Sequence, residues 1–378
     1  MDWRVLVVDD LQAADVAEII QGNKVVVQPD SIVCVQCVSF SDATKRLKEE
    51  RFDLVILDLK DDAAEDQEPL AGETVFNELK KYRFLPVIFH TGHPQKVGDL
   101  TGSPYVKVVT RGEDWTLLRS TVKEVLDTKL PKLIRHIEEE QRKFMWESAE
   151  KIWTEDLGKE SPSDLVYLLA RRLANTLSGD VVRSFLEADA PGGAPKSDKV
   201  HAVEVYVFPP LSKHFLFGDI FKKNADGSLE HFVALTPSCD HAQCNAEFVL
   251  LAKCKHLAST NPGKNAKEAL VAGNPVSGTS TTDLTKYIRD NSSPTDRFKY
   301  LPGTSFLPDL LVDLQDIRSV TPAELSSIGD GYERVASLDS PFAEALQAKM
   351  TRYLGRIGTP DIDPELALSR FKERIKVA

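Results

Sequence analysis

Short apolar runs alternate with amphipathic stretches between Trp3 and Thr128. The apolar runs are Arg4–Val8, Lys24–Val27, Val33–Val38, Leu54–Leu57, Pro86–His90 and Tyr105–Val109. The amphipathic stretches, which have helical spacing, are Ala13–Gln21, Ser41–Arg51, Gly72–Tyr82 and Asp114–Thr128. Strands and helices that take turns along a chain form parallel sheets with helices on both faces. We therefore predict a doubly wound α/β domain with a five-stranded parallel sheet over residues 1–128.

Helical spacing continues from Leu117 to Trp153 and resumes from Ser161 to Ala188. Pro131 is expected to begin a new helix or to kink the existing one, because proline lacks a backbone N–H donor. We predict a helical connector over residues 129–189. The spacing fits a helix that packs on one of the domains. It also leaves open a dimerising coiled segment, since the apolar repeat is irregular.

The pattern changes after Ala190–Lys199, whose Pro, Gly and Ser residues are typical of an exposed loop. Short β-type runs follow at Val203–Phe208, His214–Phe217, Phe232–Leu235, Phe248–Ala252 and Leu310–Leu314, and helical stretches at Ser340–Tyr353 and Pro364–Lys376. The polar stretch Asn261–Pro294 is interpreted as a mobile insertion. We predict a β-barrel-like α+β domain over residues 190–378, with helices at its C-terminus.

Composition and charge narrow the classes of protein. A length of 378 residues suits two or three domains, and a formal charge of -11 argues against a broad electrostatic grip on nucleic acid. No apolar run approaches the roughly 20 residues that a membrane helix needs. The acidic start and the odd number of cysteines, five, predict a cytoplasmic protein with reduced thiols.

Acidic residues follow two of the predicted strands at the point where each strand ends. Asp9 and Asp10 close the first strand, and Asp58 closes the third. Because the carboxyl ends of strands in an open parallel sheet face one crevice, these three carboxylates are expected to converge. Their mutual repulsion is costly without a cation, and Mg²⁺ is a hard divalent ion that prefers oxygen ligands. The sequence therefore predicts a magnesium site.

Two further side chains complete a candidate site for phosphoryl transfer. Thr91 ends the fourth strand, where its hydroxyl can hydrogen-bond a phosphoryl oxygen, and Lys107 on the fifth strand can supply a positive charge. A carboxylate nucleophile, a metal, a hydroxyl and an ammonium form a site in which the protein positions groups and neutralises charge.

The segments VLVVDD, DLVILD and PVIFHTG, together with the strand that carries Lys107, resemble the receiver domain of response regulators, which has the chemotaxis-regulator fold. The resemblance covers about a third of the chain. It implies that Asp58 is the phosphoacceptor. The metal ligands that it implies are Asp10, Asp58, the Lys60 carbonyl and, as an outer ligand, Asp9.

The same resemblance implies that Thr91 and Lys107 form a switch pair, whose movement on phosphorylation a partner domain reads. It also implies a sensor histidine kinase as the partner that supplies the phosphoryl group. The sequence departs from the family pattern around these positions. Val108 follows Lys107 where the family has proline, and Tyr105 stands two residues before Lys107 rather than three. The loop KDDAAEDQEPLAG, from Lys60 onward, is longer and more acidic than usual.

The segments FGDIFKK, HFVALTPSCD and SFLPDLLVDLQDIRSVTPAEL resemble the PemK/MazF-like barrel, whose toxin members are ribonucleases. The arginine-rich loop that those nucleases use before the second strand is absent from this sequence. The resemblance implies a barrel fold. It also implies an alternative function, a receiver-gated nuclease that acts on RNA.

A short segment contains five potential ligands for a soft metal, namely Cys239, His241, Cys244, Cys254 and His256. Their spacing can clamp Zn²⁺, although it matches no common zinc finger. Buried core cysteines with surface histidines are one alternative, and a Cys239 nucleophile beside His241 is another. We favour core cysteines, because FVLLAKC is typical of a strand, whose alternation separates neighbouring side chains.

Together these patterns predict a two-component response regulator that is phosphorylated on Asp58 in an Mg²⁺-dependent way. No basic recognition helix follows the receiver, so we expect an output domain that acts by regulated interaction with a protein or by homodimerisation. Transfer of a phosphoryl group onto its own aspartate is signalling rather than turnover catalysis. The rival interpretations are the nuclease and an adaptor in which the receiver is only a scaffold.

Overall fold

The computed structural model describes residues 1–26, 28, 30–60, 70–98, 105–112, 115–149, 161–176, 200–225, 227–326, 331–357 and 362–377. The chain divides into two compact units, Met1–Asp189 and Ala190–Ala378. The described helices of the predicted connector belong to the first unit. The three-part division at residues 128 and 189 stays a prediction.

The first unit consists of one sheet and its covering helices. The strands are β1 (Asp2–Val8), β2 (Ser31–Cys37), β3 (Leu54–Leu57), β4 (Val87–Thr91) and β5 (Val106–Thr110). The helices are α1 (Ala13–Ile20), α2 (Phe40–Glu49), α3 (Ala71–Tyr82), α4 (Trp115–Asp127), α5 (Leu130–Lys143) and α6 (Pro162–Thr176), with a 3₁₀ turn at Pro94–Lys96 and a π-helical turn at Phe144–Ala149. All pairings are parallel in the order β2-β1-β3-β4-β5, which confirms the predicted doubly wound sheet.

The run Lys24–Val27 is not the strand that its valines suggest. Residues 24–26 lie in no strand, and residue 27 is outside the described residues. Gly22 has a φ of +72° and exchanges two backbone hydrogen bonds of 2.9 Å with Ile32. Glycine adopts this left-handed conformation at low cost, so the chain turns before the valines and β2 begins at Ser31.

Alternate residues of the strands pack into two apolar cores, one on each face of the sheet. Val5 and Val7 of β1 belong to the core beneath α1 and α4, whereas Leu6 and Val8 belong to the core beneath α2 and α3. Burial on both faces explains why these strands are continuous apolar runs. Strand β3, for example, is buried at all four positions and carries no polar side chain.

Helix α5 has Pro131 in its first turn, which confirms that a new helix starts there. The helix packs at the amino-terminal end of β3, where Asp53 is buried. Arg135 Nε donates to Asp53 Oδ1 at 3.1 Å, and Arg135 Nη2 donates to the Asp2 carbonyl at 2.9 Å. This part of the connector therefore packs on the sheet of the first unit, at the end opposite Asp58.

The second unit is built on a seven-stranded sheet. The strands are β6 (Tyr206–Val207), β7 (Asp219–Ala225), β8 (Ser228–Ala234), β9 (Val249–His256), β10 (Phe298–Leu301), β11 (Leu310–Val320) and β12 (Glu333–Leu338). The helices are α7 (Ser238–Ala242), α8 (Asn261–Val271), α9 (Gly278–Ile288), α10 (Pro322–Ser326), α11 (Phe342–Leu354) and α12 (Pro364–Val377), with 3₁₀ turns at Ala202–Val205 and Leu257–Ser259. The order β10-β11-β9-β8-β7-β12-β6 is antiparallel throughout and forms a curled half-barrel, which confirms the predicted β-rich α+β fold.

The stretch Asn261–Pro294 contains α8 and α9, so its interpretation as a mobile insertion is wrong. The Thr260 hydroxyl caps α8 and the Ser277 hydroxyl caps α9, each accepting a hydrogen bond of 3.2 Å from a backbone N–H of the first turn. These helices bury few apolar side chains, and hydrophobic spacing does not reveal them. The run His214–Phe217 also differs from prediction, since it lies in no strand.

A buried carboxylate connects three strands of the second sheet. Asp313 of β11 accepts hydrogen bonds of 2.8 Å from Nε and Nη2 of Arg297, which precedes β10. Lys255 Nζ of β9 lies 2.8 Å from the same carboxylate. Burial raises the pKa of Asp313, but the hydrogen bonds from Arg297 and Lys255 outweigh burial and lower the pKa to about 2.

Asp313→Ala is expected to destabilise the second unit by about 3 kcal/mol at neutral pH, because two cations lose a buried partner. The pKa of Asp313 is lower in the folded chain than the ordinary 3.8, so its stabilising effect is present above that value and is lost as the pH falls towards 2. Urea unfolding of both chains at neutral pH and near pH 2 measures this difference. Asp316→Ala on the same strand is the control, and equal midpoints for Asp313→Ala and the unaltered chain at neutral pH would contradict the assignment.

Candidate functional site

Three carboxylates meet at the carboxyl end of the first sheet. Asp9 and Asp10 follow β1, and Asp58 follows β3. Val8 pairs with Leu57, so these two strand ends lie side by side. One carboxylate oxygen from each of the three acids lies within 4.8 Å of the others. The structure therefore brings the three acids together where the sequence predicts.

Backbone N–H groups hold two of these carboxylates. Asp9 Oδ1 accepts hydrogen bonds from the N–H groups of Leu11 and Gln12 at 2.9 and 2.6 Å. Asp58 Oδ1 accepts from the Leu59 N–H at 2.7 Å. Asp9 and Asp58 are buried, and the hydrogen bond from the Leu59 N–H acts to lower the pKa of Asp58.

Gly72 allows helix α3 to pack directly against the backbone that follows β3. The Gly72 N–H donates to the Leu59 carbonyl at 3.0 Å. A Cβ at position 72 would lie 2.8 Å from the Leu59 Cα and still closer to the Asp58 carbonyl oxygen. Only glycine fits this approach, so the position of the backbone at Asp58 and Leu59 depends on the absence of a side chain at residue 72.

Thr91 lies beside Asp58, and Lys60 follows Asp58 by two residues along the chain. Thr91 ends β4, is fully buried, and accepts a hydrogen bond from the His93 N–H at 3.2 Å. Its hydroxyl also favours the ionised form of Asp58 and so acts to lower its pKa. Lys60 is partly buried at the end of a described segment, and the acidic loop of residues 61–69 lies outside the described residues.

The structure does not bring Lys107 to the three carboxylates. Lys107 pairs with Ile88, three residues before Thr91 in the register of β4 and β5. At about 3.3 Å per residue, this position is about 10 Å short of Thr91 along the strand. The Lys107 ammonium lies 2.6 Å from Glu124 Oε1 of α4, and the Lys107 side chain is 34% exposed. The expectation that Lys107 provides the positive charge of the pocket is therefore corrected by the strand register.

Arg111 is the cation that lies in the pocket, and the sequence patterns did not reveal it. Its Nη2 is 2.5 Å from Asp9 Oδ2 and 2.6 Å from Asp58 Oδ2. The Arg111 N–H donates to the Thr91 carbonyl at 2.8 Å, which extends the alignment of β5 with β4 by one residue. Arg111 could have been predicted as a site residue from its position directly after the fifth strand, because ligand-binding groups gather at the carboxyl ends of parallel strands.

Burial and charge act against each other at Asp58. Burial raises the pKa of Asp58, and the nearby Asp9 carboxylate acts in the same direction. The Arg111 guanidinium is the largest influence that lowers this pKa, followed by the Leu59 N–H. The net effect is a raised pKa, and the guanidinium limits the cost of burying the ionised carboxylate.

The donor set fits one hard divalent cation. The three acids offer carboxylate oxygens, which are the ligands that Mg²⁺ prefers. Three carboxylates and one guanidinium leave a formal charge of −2, which a single divalent ion neutralises. Each carboxylate has several lone pairs, so the hydrogen bonds to Asp9 and Asp58 leave oxygen sites for a metal.

The five cysteine and histidine residues proposed as zinc ligands are not brought together. Cys239 and Cys244 are exposed, whereas Cys254 faces the core from β9 and burial raises its pKa. His241 is buried and His256 partly exposed. Among the described residues, the acidic cluster is the one place where three or more Cys, His, Asp or Glu side chains lie close enough to hold a metal ion. Cys254 fits the alternative of a buried core cysteine.

The strand order of the first unit, with parallel strands in the order β2-β1-β3-β4-β5, defines a doubly wound fold of the flavodoxin type. The carboxyl edge of this sheet carries acids after β1 and β3 and a buried threonine at the end of β4. The N-terminal unit therefore has the fold of response-regulator receiver domains.

No protein-family model matches the chain, and no curated protein matches it. The solved structures that are similar to parts of the chain include the following three. Response regulator TrrA from Thermotoga maritima, in complex with Mg²⁺-BeF, is 24% identical over 32% of this chain and 98% of its own, with a TM-score of 0.25. A mutant anti-anti-sigma factor PhyR from Bartonella quintana is 17% identical over 34% of this chain and 50% of its own, with a TM-score of 0.27.

The third structure, MazE-MazF from Deinococcus radiodurans, is 10% identical over 39% of this chain and 100% of its own, with a TM-score of 0.23. The resemblance of the C-terminal unit to the PemK/MazF-like barrel is weak. Among the described residues, no helix combines the length and the apolar character that crossing a membrane requires.

Proposed function

We propose that the chain is a response regulator whose receiver domain accepts a phosphoryl group on Asp58 with the help of Mg²⁺. The observation that carries this proposal is the convergence of three carboxylates within 4.8 Å at the carboxyl end of the parallel sheet. The buried Thr91 hydroxyl beside Asp58 supports it, because a phosphoryl group on Asp58 needs a hydrogen-bond donor.

Asp10, Asp58 and the Lys60 carbonyl would hold Mg²⁺, with Asp9 as an outer ligand. When bound, the metal ion supplies positive charge that neutralises the phosphoryl oxygens. Burial of Asp9 and Asp58 strengthens such charge interactions, since little water screens them.

The reaction is an in-line substitution at phosphorus. An oxygen of ionised Asp58 attacks the phosphorus atom and forms a new P–O bond, while the bond from phosphorus to the donor breaks. The leaving atom of the donor departs with the electron pair of the broken bond. The Thr91 hydroxyl donates a hydrogen bond to a phosphoryl oxygen.

The partners follow from this chemistry. The phosphoryl donor is a sensor histidine kinase, and the reader of the phosphorylated state is the C-terminal unit together with an output protein or a second copy of the chain. The movement of Thr91 towards the phosphoryl group is the event that the output reads. Phosphorylation consequently changes oligomeric size or partner capture.

Incubation of the full chain with acetyl phosphate and Mg²⁺ tests the proposal. We expect one phosphoryl group per chain, mapped by mass spectrometry to the peptide that contains Asp58. Chelation of Mg²⁺ with EDTA is the control and should prevent labelling. A phosphoryl group on another residue, or equal labelling in EDTA, would contradict the proposal.

A further inference from the structure

Strand β5 and the residue after it carry two cations on the same face of the sheet. Side chains alternate along a strand, so Lys107, Val109 and Arg111 point to one side. Val109 pairs with His90, the residue level with Asp58, which places Lys107 about 7 Å before that level and Arg111 about 7 Å beyond it. Of the two cations, Arg111 is the one at the carboxyl end of the sheet, where the acids are.

Two apolar side chains lie on the side of the sheet between Lys107 and the acids. Val109 is buried in the core beneath α4, together with Ile88 of the neighbouring strand. An ammonium that extended from Lys107 towards Asp58 would lose water beside these side chains, which is costly for a charge. Pairing with Glu124 at the partly exposed surface avoids that cost.

The guanidinium of Arg111 is in direct contact with the acceptor. Nη2 lies 2.6 Å from Asp58 Oδ2 and 2.5 Å from Asp9 Oδ2, so the same nitrogen bridges two acids. The Arg111 side chain is 18% exposed and the two carboxylates are 3% exposed. Poor access to water makes these charge-assisted hydrogen bonds stronger than surface ion pairs.

Arginine also has a geometric advantage over lysine at this position. A guanidinium presents five N–H donors in a rigid plane that matches two oxygens of a phosphoryl group, whereas an ammonium acts as a point charge. Because Nη2 already contacts Asp58 Oδ2, the plane lies beside the carboxylate on which the new P–O bond would form.

We infer that Arg111 is the catalytic cation of the acceptor pocket, donating hydrogen bonds to the phosphoryl oxygens while Asp58 attacks. This inference rests on the proposed function. The phosphoryl group moves from the donor to Asp58, the leaving atom keeps the electron pair, and Arg111 remains protonated throughout. Its charge offsets the negative charge that accumulates on the phosphoryl oxygens in the transition state.

The test compares initial rates of labelling of the full chain with acetyl phosphate and Mg²⁺. Arg111→Ala is expected to lower the rate by about 100-fold, the loss typical of one preorganised donor to an anionic transition state. Arg111→Lys should recover part of the rate, since it keeps the charge without the planar fork. Arg46→Ala removes an arginine that bridges Asp42 and Glu50 elsewhere in the unit and is the matched control.

A second measurement separates catalysis from simple collapse of the pocket. Removing the guanidinium changes the formal charge of the pocket from −2 to −3, so Arg111→Ala should bind Mn²⁺ more tightly, by about tenfold. A damaged pocket would instead lose both labelling and Mn²⁺.

Slow labelling with tighter Mn²⁺ binding supports the inference. Unchanged labelling of Arg111→Ala, weaker Mn²⁺ binding, or a loss that appears in Lys107→Ala and not in Arg111→Ala would overturn it. Failure of the unaltered chain to accept a phosphoryl group on Asp58 would overturn the proposed function itself.

Discussion

Replacement of Asp58 with asparagine is expected to abolish labelling by acetyl phosphate. The amide has nearly the same size as the carboxylate, but it is not charged and is not a nucleophile. The new side chain also removes one of three converging negative charges and so reduces their mutual repulsion. We therefore expect the variant to fold. Intact-mass measurement of the chain after incubation with donor and Mg²⁺ gives the result directly.

The control for this experiment is Asp42→Asn on α2, which removes a carboxylate outside the cluster and should leave labelling complete. Comparison of thermal unfolding shows whether both variants retain the fold. Persistent labelling of Asp58→Asn at the rate of the unaltered chain would place the acceptor on another residue.

A side chain at position 72 should damage the same site through the backbone. Gly72→Ala puts a methyl group 2.8 Å from the Leu59 Cα and closer still to the Asp58 carbonyl, and neither backbone atom can move independently of the strand. We expect a loss of about 2–3 kcal/mol in the free energy of unfolding, typical of overpacking. Labelling should fall as well, because relief of the clash displaces Asp58.

Gly92→Ala is the matched control for Gly72→Ala, because a Cβ at residue 92 meets no atom within 4 Å. Urea unfolding followed by circular dichroism measures both variants. A Gly72→Ala chain as stable as the Gly92→Ala chain would show that α3 does not press on the Asp58 loop as the structure indicates.

The receiver fold and the three acids could be predicted because they depend on local patterns. Five apolar runs and the helical stretches between them set the sheet, and acids directly after two strands must reach its carboxyl edge. Arg111 could not be chosen over Lys107 in the same way. Which of two basic residues reaches the acids depends on the register of β5 against β4, and this register is a tertiary property.

In the second unit, too, the sequence did not predict which side chains lie close together. The spacing of residues along a sequence does not show which side chains of different elements meet. Cys239 and Cys254 are close in sequence, but Cys239 is exposed and Cys254 is in the core. Helices α8 and α9 were missed because hydroxyl caps at Thr260 and Ser277, rather than an apolar stripe, mark their starts. Sequence reasoning therefore did best where burial on both faces enforces a strong pattern.

We expect Asp9, Asp10 and Asp58 to share one divalent cation, and Mn²⁺ binding followed by electron paramagnetic resonance tests this expectation. The unaltered chain should bind one Mn²⁺, with Mg²⁺ as a competitor, and Asp10→Asn should weaken binding by at least about tenfold. Equal Mn²⁺ affinity in Asp10→Asn, or no saturable binding to the unaltered chain, would contradict the account.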